Sequence, residues 1–206
     1  MINLVILPKG ERVLKKYDTS QIRNVAIIGH GGTGKTMLTE AILFHAGATK
    51  RKGSISDGNT VSDYDPEEIK RGTSISTALT TCQWKDTKIN LLDTPGFFDF
   101  VGEVVAALEV TEGAVSVLSA TDSLPVGFFT TWKLADERKL ARTIFINKMD
   151  KENASFERVY GELREKLGTK VVPINLPIGS HTSFEGVVDL VNMKAYYQKG
   201  GDTVEA

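Results

Sequence analysis

Residues Gly29-His30-Gly31-Gly32-Thr33-Gly34-Lys35-Thr36 fit the pattern GxxxxGK followed by Ser or Thr. An apolar run precedes them and a helix-like segment follows, as a phosphate-binding loop requires. Glycines let successive backbone N–H groups curl around a phosphate with no side chain in the way. The helix that starts here adds free N–H groups and the positive end of its dipole. Lys35 offers a charge to the β and γ phosphates of a nucleotide, and Thr36 offers a hydroxyl to Mg²⁺. Downstream, Asp93-Thr94-Pro95-Gly96-Phe97 follows an apolar run. An acid at the C-terminal end of a parallel strand faces the ligand crevice. Asp93 can hold Mg²⁺ through water there, and the Gly96 N–H can meet a γ-phosphate. Asn147-Lys148-Met149-Asp150 ends another apolar run. Asp150 can accept two hydrogen bonds from the N1–H and N2–H₂ of guanine, a donor pair that adenine lacks. The Lys148 stem can lie over the base. Between these segments, Thr73-Ser74 offers a hydroxyl that could complete the Mg²⁺ shell while a γ-phosphate is present.

These groups need elements to position them. Val25–Ile28 reads as a buried strand. Met37, Leu38, Ala41 and Ile42 mark one face of a helix over 36–46, with Gly47 as its stop. Residues 47–74 lose all periodicity, and a loop that long is usually functional or mobile. Ile75–Trp84 and Lys88–Leu92 are strand candidates, with Asp86-Thr87 as their turn. Val101, Val104, Val105 and Leu108 give a second helical stripe. Val115–Leu118 is a strand, Pro125 starts a third helix running to Leu140, and Thr143–Ile146 is a strand. Phe156, Val159, Tyr160, Leu163 and Leu167 mark a fourth helix stopped by Gly168. Strands alternating with helices predict an α/β fold, a mostly parallel sheet with helices on both faces. Asp93 and Asp150 would then share one sheet edge. After Lys170 the pattern changes to successive β segments, Val171–Ile174, Gly186–Leu190 and Lys194–Tyr197. Lys199-Gly200-Gly201-Asp202 is a hairpin signal. The returning strand ends at Ala206, so a fragment of a longer protein is expected.

The 206 residues are 41% hydrophobic and 25% charged. Such values argue against disorder and fibrous architecture. Twenty-five Lys and Arg against 26 Asp and Glu give a net charge of −1. That balance is no bulk electrostatic sign of nucleic-acid binding. A single cysteine, Cys82, excludes a disulfide framework and a Cys-rich zinc site. It is expected to be a buried strand residue. His30, His45 and His181 have no metal-ligand spacing; His45 is expected on a helix surface, and Trp84 and Trp132 in packing roles. Residues 1–20, with Lys9, Arg12, Lys15 and Lys16, read as a loosely attached extension. No apolar run suffices for a signal core or a membrane span. A cytoplasmic protein with no membrane partner is expected.

Together these residues resemble the G domain of translational GTPases, specifically the elongation factor G family. Arg23-Asn24-Val25-Ala26-Ile27 is similar to that family's first strand. Asp63-Tyr64-Asp65-Pro66-Glu67-Glu68, followed by Arg71-Gly72, resembles its switch I. Leu92 to Gly96, then Asp99-Phe100 and Glu103-Val104, resembles its switch II. Ile174 to Gly179 and Phe184 to Leu190 resemble the start of a domain that the family inserts into its G domain. The resemblance implies a P-loop NTPase G domain followed by the start of an inserted α+β subdomain. It divides the chain into a 1–20 extension, a 21–170 GTP-binding domain and a truncated 171–206 insert. It implies GTP and GDP as ligands, Mg²⁺ held by Thr36, Ser74 and Asp93 with no other metal, and the ribosome as partner of a monomer. The GTP-binding set it implies is Gly29 to Thr36, Asp93 to Phe97 and Asn147 to Asp150.

Three departures bear on mechanism. Family members carry His after Asp-Thr-Pro-Gly, where it positions the attacking water. Phe97 has no donor or acceptor for that task. Lys35 and Gly96 keep their expected catalytic roles. The family's Asp three residues before Lys35 is Gly32 here, so a potassium ion is not a supported substitute. Ser74 replaces Thr but keeps the ligand oxygen. The expectation is a GTPase with slow intrinsic hydrolysis. A regulatory switch that binds partners with little turnover is the second reading, and a P-loop ATPase or small-molecule kinase the third.

Overall fold

The computed structural model describes residues 4–6, 12–199 and 202–205. Its chain forms two compact units, residues 1–117 with 127–144, and residues 118–126 with 145–206.

In the first unit, β1 (Leu4–Ile6) and β2 (Arg12–Leu14) pair antiparallel. Residues 1–3 and 7–11 of the predicted extension, Lys9 among them, lie outside the described residues. The Tyr17 hydroxyl donates to Gln83 Oε1 at 3.1 Å, so the end of the extension is held at the sheet. The central strand is β3 (Ile22–Ile28), followed by α1 (Lys35–His45) and α2 (Pro66–Arg71). Then come β4 (Ala78–Trp84), β5 (Thr87–Asp93), α3 (Val101–Glu109), β6 (Gly113–Ser119), α4 (Val126–Glu137) and β7 (Ala141–Asn147). The five-stranded sheet has the order β4-β5-β3-β6-β7. Strand β3 is parallel to β5 and to β6, and β4 is antiparallel to β5.

Alternation along β3 divides the core. Ala26 and Ile28 pack with Val104, Ala107 and Leu108 of α3 and Ala135 of α4. Ile27 faces the other way, onto Leu43 of α1 with Cys82, Leu91 and Val117. Both faces of the sheet are therefore helix-covered, as the strand–helix alternation predicts. Cys82 is fully buried and His45 exposed. Trp132 packs against Phe128, with the Arg142 guanidinium 4.4 Å from its ring centre. Trp84 departs from expectation, being 55% exposed at the hairpin end.

Within the first unit the structure corrects three readings of element boundaries. The stretch 47–74 contains α2, whose six residues are too short to show periodicity. Its end signals are nonetheless strong. Asp65 accepts from the Glu67 N–H at 2.7 Å. Pro66 opens the helix and Gly72 closes it at φ 63°. An Asx cap, a first-turn proline and a left-handed glycine are the ordinary marks of helix ends. The β4–β5 turn is Lys85-Asp86, one residue earlier than predicted, because Trp84 pairs with Thr87. Strand β4 begins at Ala78, since the backbone of 75–77 is bound by side chains instead.

The second unit carries α5 (Phe156–Leu167), capped by the Ser155 hydroxyl and closed at Gly168. Four antiparallel strands follow: β8 (Asn175–Ile178), β9 (Gly186–Asp189), β10 (Lys194–Lys199) and β11 (Asp202–Glu205), in the order β11-β10-β9-β8. The predicted strand at Val171–Ile174 is irregular; the strand lies at Asn175–Ile178. Gly200 and Gly201 of the predicted turn lie outside the described residues, but Lys199 and Asp202 pair across it.

Cys82→Ser inserts a hydroxyl among Ile27, Leu43, Leu91 and Val117. Urea unfolding should show a loss of about 1–3 kcal/mol, the cost of burying an unpartnered polar group.

Candidate functional site

The loop after β3 is built as its glycines require. Gly29 has φ 143°, and a Cβ there would sit 2.5 Å from the Val117 carbonyl oxygen. Gly34 caps α1 in the left-handed region at φ 95°. The Thr33 hydroxyl and the Lys35 ammonium both donate to the His30 carbonyl oxygen, each at 3.0 Å. This ties the loop into a closed turn with Lys35 inside it. His30 is exposed, its imidazole against Gly127, and it serves Lys35 through its backbone carbonyl.

The segment after β5 lies directly on this loop. Thr94 is buried and ties back to the Ile27 carbonyl through both its N–H (3.3 Å) and its hydroxyl (2.8 Å). Pro95 is buried beside it. A Cβ on Gly96 would collide with the Lys35 ammonium and stand 2.6 Å from the Gly31 nitrogen, so only glycine fits. The tip of the Phe97 ring stands 3.2 Å from the position a Cβ on Gly31 would take. Phe97 is 45% exposed.

Charge gathers underneath. Burial pulls the Lys35 ammonium down to about 8, against the opposing attraction of Asp93 and then Asp63. Asp93 is buried, and neither carboxylate oxygen has a hydrogen bond of good geometry. Burial pushes its carboxyl up to about 6; the nearby Thr36 hydroxyl, the Lys35 charge and the Ser62 hydroxyl pull the other way. Thr36 and Ser74 face each other, hydroxyl to hydroxyl, at 3.3 Å. Ser74 also donates to Asp63 Oδ1 at 2.7 Å. Burial raises the Asp63 carboxyl, with Glu68 and Glu40 adding to the rise, while the Ser74 hydrogen bond and Lys35 oppose it.

A buried, orphaned carboxylate beside two hydroxyls is a hard-oxygen donor set. It fits Mg²⁺, which takes few protein ligands and keeps its waters. Among the described residues no three His, Cys, Asp or Glu side chains converge as a metal cluster, so hydroxyls must contribute to any such site.

In the second unit, the Asn147 carbonyl accepts from the Ala120 N–H at 2.8 Å. Lys148 turns the chain at φ 62°. Met149 is buried against Ala120 and Ala154, and its carbonyl accepts from the His181 N–H at 3.1 Å. These ties leave the Asp150 side chain 62% exposed, its carboxylate 3.3 Å from Lys151. An anchored backbone with an open carboxylate at its end suits an acceptor for paired N–H donors.

The structure thus brings Lys35, Thr36, Ser74, Asp93 and Gly96 together, as the motifs predict. Asp63 joins them although its residue type alone did not mark it as a site residue. Glu40 is a further contributor that no motif marks, and Glu68 and Glu103, which lie in the switch-like segments, have a role those segments do not reveal. Their role is to bind backbone N–H groups, and no side-chain motif records that.

The chain is similar to known proteins over most of its length. Residues 20–203 match the family model described as the elongation factor Tu GTP binding domain. The chain is 44% identical over 182 residues to elongation factor G of Granulibacter bethesdensis, covering 88% of this chain and 26% of that protein. It is 43% identical over 188 residues to elongation factor G of Thermotoga petrophila, covering 91% and 27%. A crystal structure of a Thermus thermophilus protein superposes with a TM-score of 0.85 at 36% identity, over 91% of this chain and 28% of that one. The chain therefore spans about a quarter of the length of the curated relatives it matches. It belongs to the elongation factor Tu GTP-binding domain family, in its elongation-factor-G-like branch.

Proposed function

We propose that this chain is the GTP-binding and GTP-hydrolysing domain of an elongation-factor-G-like translation factor that acts on the ribosome from the cytoplasm. The observation that carries the reading is the convergence of Lys35, Thr36, Asp93 and Gly96 on one closed loop, with both Asp93 oxygens unpartnered. Gly29 to Thr36 cradle the phosphates through backbone N–H groups. Lys35 neutralises the β and γ oxygens, and the Gly96 N–H meets the γ-phosphate. Thr36, Ser74 and Asp93 would hold Mg²⁺, which would supply positive charge to offset that of the phosphates. Asn147, Lys148 and Asp150 read the guanine. Residues 21–170 form the nucleotide domain and 171–206 the start of the inserted subdomain, after a 1–20 extension.

Hydrolysis is slow without a partner. Phe97 occupies the place of a water-orienting His and offers no donor or acceptor. Its ring lies against Gly31 of the phosphate loop and places an apolar group there. The same packing favours a second reading, a GTP-dependent switch that binds partners with little turnover. GTP hydrolysis by the full-length protein, with and without intact ribosomes, separates the two. Strong stimulation supports the translation factor. Tight GTP binding with no turnover in either condition would overturn it in favour of the switch.

Two substitutions test the chemistry. Phe97→His should raise intrinsic GTP turnover by at least about tenfold, a conservative floor below the roughly 10²–10⁴-fold of one positioned general catalyst. Single-turnover phosphate release measures it, and an unchanged rate would show that Phe97 is not the limiting defect. Asp93→Asn removes a buried carboxylate whose loss of water outweighs the attraction of Lys35. It should stabilise the nucleotide-free protein by ~1 kcal/mol, a rise of a few degrees in melting temperature. The same variant should lose Mg²⁺-dependent GTP affinity; both shifts are read in one thermal titration.

A further inference from the structure

Ile75, Ser76 and Thr77 carry the chain from the switch loop into β4, and carboxylates take all three of their backbone N–H groups. Glu68 Oε1, on α2, accepts from Ile75 at 2.8 Å and from Ser76 at 3.1 Å. Glu103 Oε2, on α3, accepts from Thr77 at 2.7 Å, and the Thr77 hydroxyl donates to the Glu103 carbonyl at 3.3 Å. Glu68 is 4% exposed. A carboxylate that accepts two adjacent amide N–H groups away from water fixes them in both distance and direction. Ser74 stands one residue upstream, its hydroxyl 3.3 Å from that of Thr36.

We propose that Glu68 and Glu103 are positioning residues for the Mg²⁺-bound triphosphate state. They clamp 75–77 from two sides and so keep the Ser74 hydroxyl beside Thr36. Glu103 lies on the helix that follows the Asp93–Phe97 segment, so its bond to Thr77 also makes the two switch segments move as one. Neither glutamate is placed to touch nucleotide. Their effect is confined to the state that uses Ser74, because a diphosphate offers no γ-phosphate to hold the switch closed. The inference rests on the reading of Thr36 and Ser74 as Mg²⁺ ligands.

The test uses the full-length protein with Glu68→Gln, Glu103→Gln, Ser74→Ala and the Glu68→Gln/Ser74→Ala double variant. Equilibrium binding of GDP and of a non-hydrolysable GTP analogue is measured in Mg²⁺. Amide hydrogen exchange at 75–77 is measured without nucleotide. Each single variant should weaken the analogue about tenfold, as expected for loss of state-specific hydrogen bonds to a charged group, and GDP by less than about twofold. Exchange at 75–77 should rise in both glutamate variants, and the double variant should bind the analogue no worse than Ser74→Ala. Equal losses for GDP and analogue would mean a merely structural role and overturn the proposal. Unchanged exchange at 75–77 would overturn it through the clamp itself. Retained analogue affinity in Ser74→Ala would overturn it through the ligand reading. Loss in Ser74→Ala with none in the glutamate variants would overturn the clamp alone.

Discussion

Two backbone turns, Gly29–Lys35 and Asp93–Gly96, pack on each other around the Lys35 ammonium, and the rest of the first unit is arranged around that contact. Gly96 can approach the Gly31 nitrogen and the Lys35 ammonium only because it lacks a Cβ. Thr94 locks the approach, with two hydrogen bonds to the Ile27 carbonyl near the end of β3. The parallel pairing of β3 with β5 delivers both turns to the same end of the sheet, Ile27 level with Asp93. A single-residue slip in that register would turn Asp93 to the opposite face.

The contact has an electrostatic consequence. It shuts Lys35, Asp93 and Asp63 into one poorly hydrated space. Burial moves the lysine down and both aspartates up, each toward its neutral form, and their mutual attraction only partly resists. A site held in that condition is poised for a ligand that brings both anionic oxygens and a cation. On the proposed reading, phosphates would satisfy the lysine and the loop N–H groups, and Mg²⁺ would satisfy the carboxylate. Ligand binding would relieve an imbalance already present in the fold.

Around this centre the loop 53–77 is shaped by acids rather than by an apolar core. Glu40, fully buried on α1, accepts from the Gly53 N–H at 2.8 Å and the Val61 N–H at 2.5 Å. Its bonds fasten the early half of the loop to the helix that begins at the phosphate site. The later half answers to Glu68 and Glu103. A loop held by hydrogen bonds and little apolar area gains cohesion without a large hydrophobic commitment. Such segments are drawn from the low-stability end of a structure, where a change of state costs little.

The chemistry was legible in the sequence because it lives in short contiguous motifs. Each of Gly29 to Thr36, Asp93 to Phe97 and Asn147 to Asp150 follows an apolar run, and the backbone geometry of a strand–turn–helix unit is local. Helices and strands with strong periodicity were legible for the same reason. Helix α2 was not, since six residues hold too few turns for a pattern, although its cap was written in Asp65-Pro66 and Gly72. The start of β4 was missed because Ile75 and Thr77 have strand-like types, while the partners of their N–H groups are glutamates 7 and 26 residues away in the chain. Asp63 and Glu40 were hidden likewise: an acid in a polar run looks solvated until folding buries it. Sequence determined which atoms could meet a nucleotide. Only the tertiary structure decided which acids lose their water and which backbone groups they bind instead, because burial and long-range hydrogen bonding are properties of the packed chain and not of any window along it.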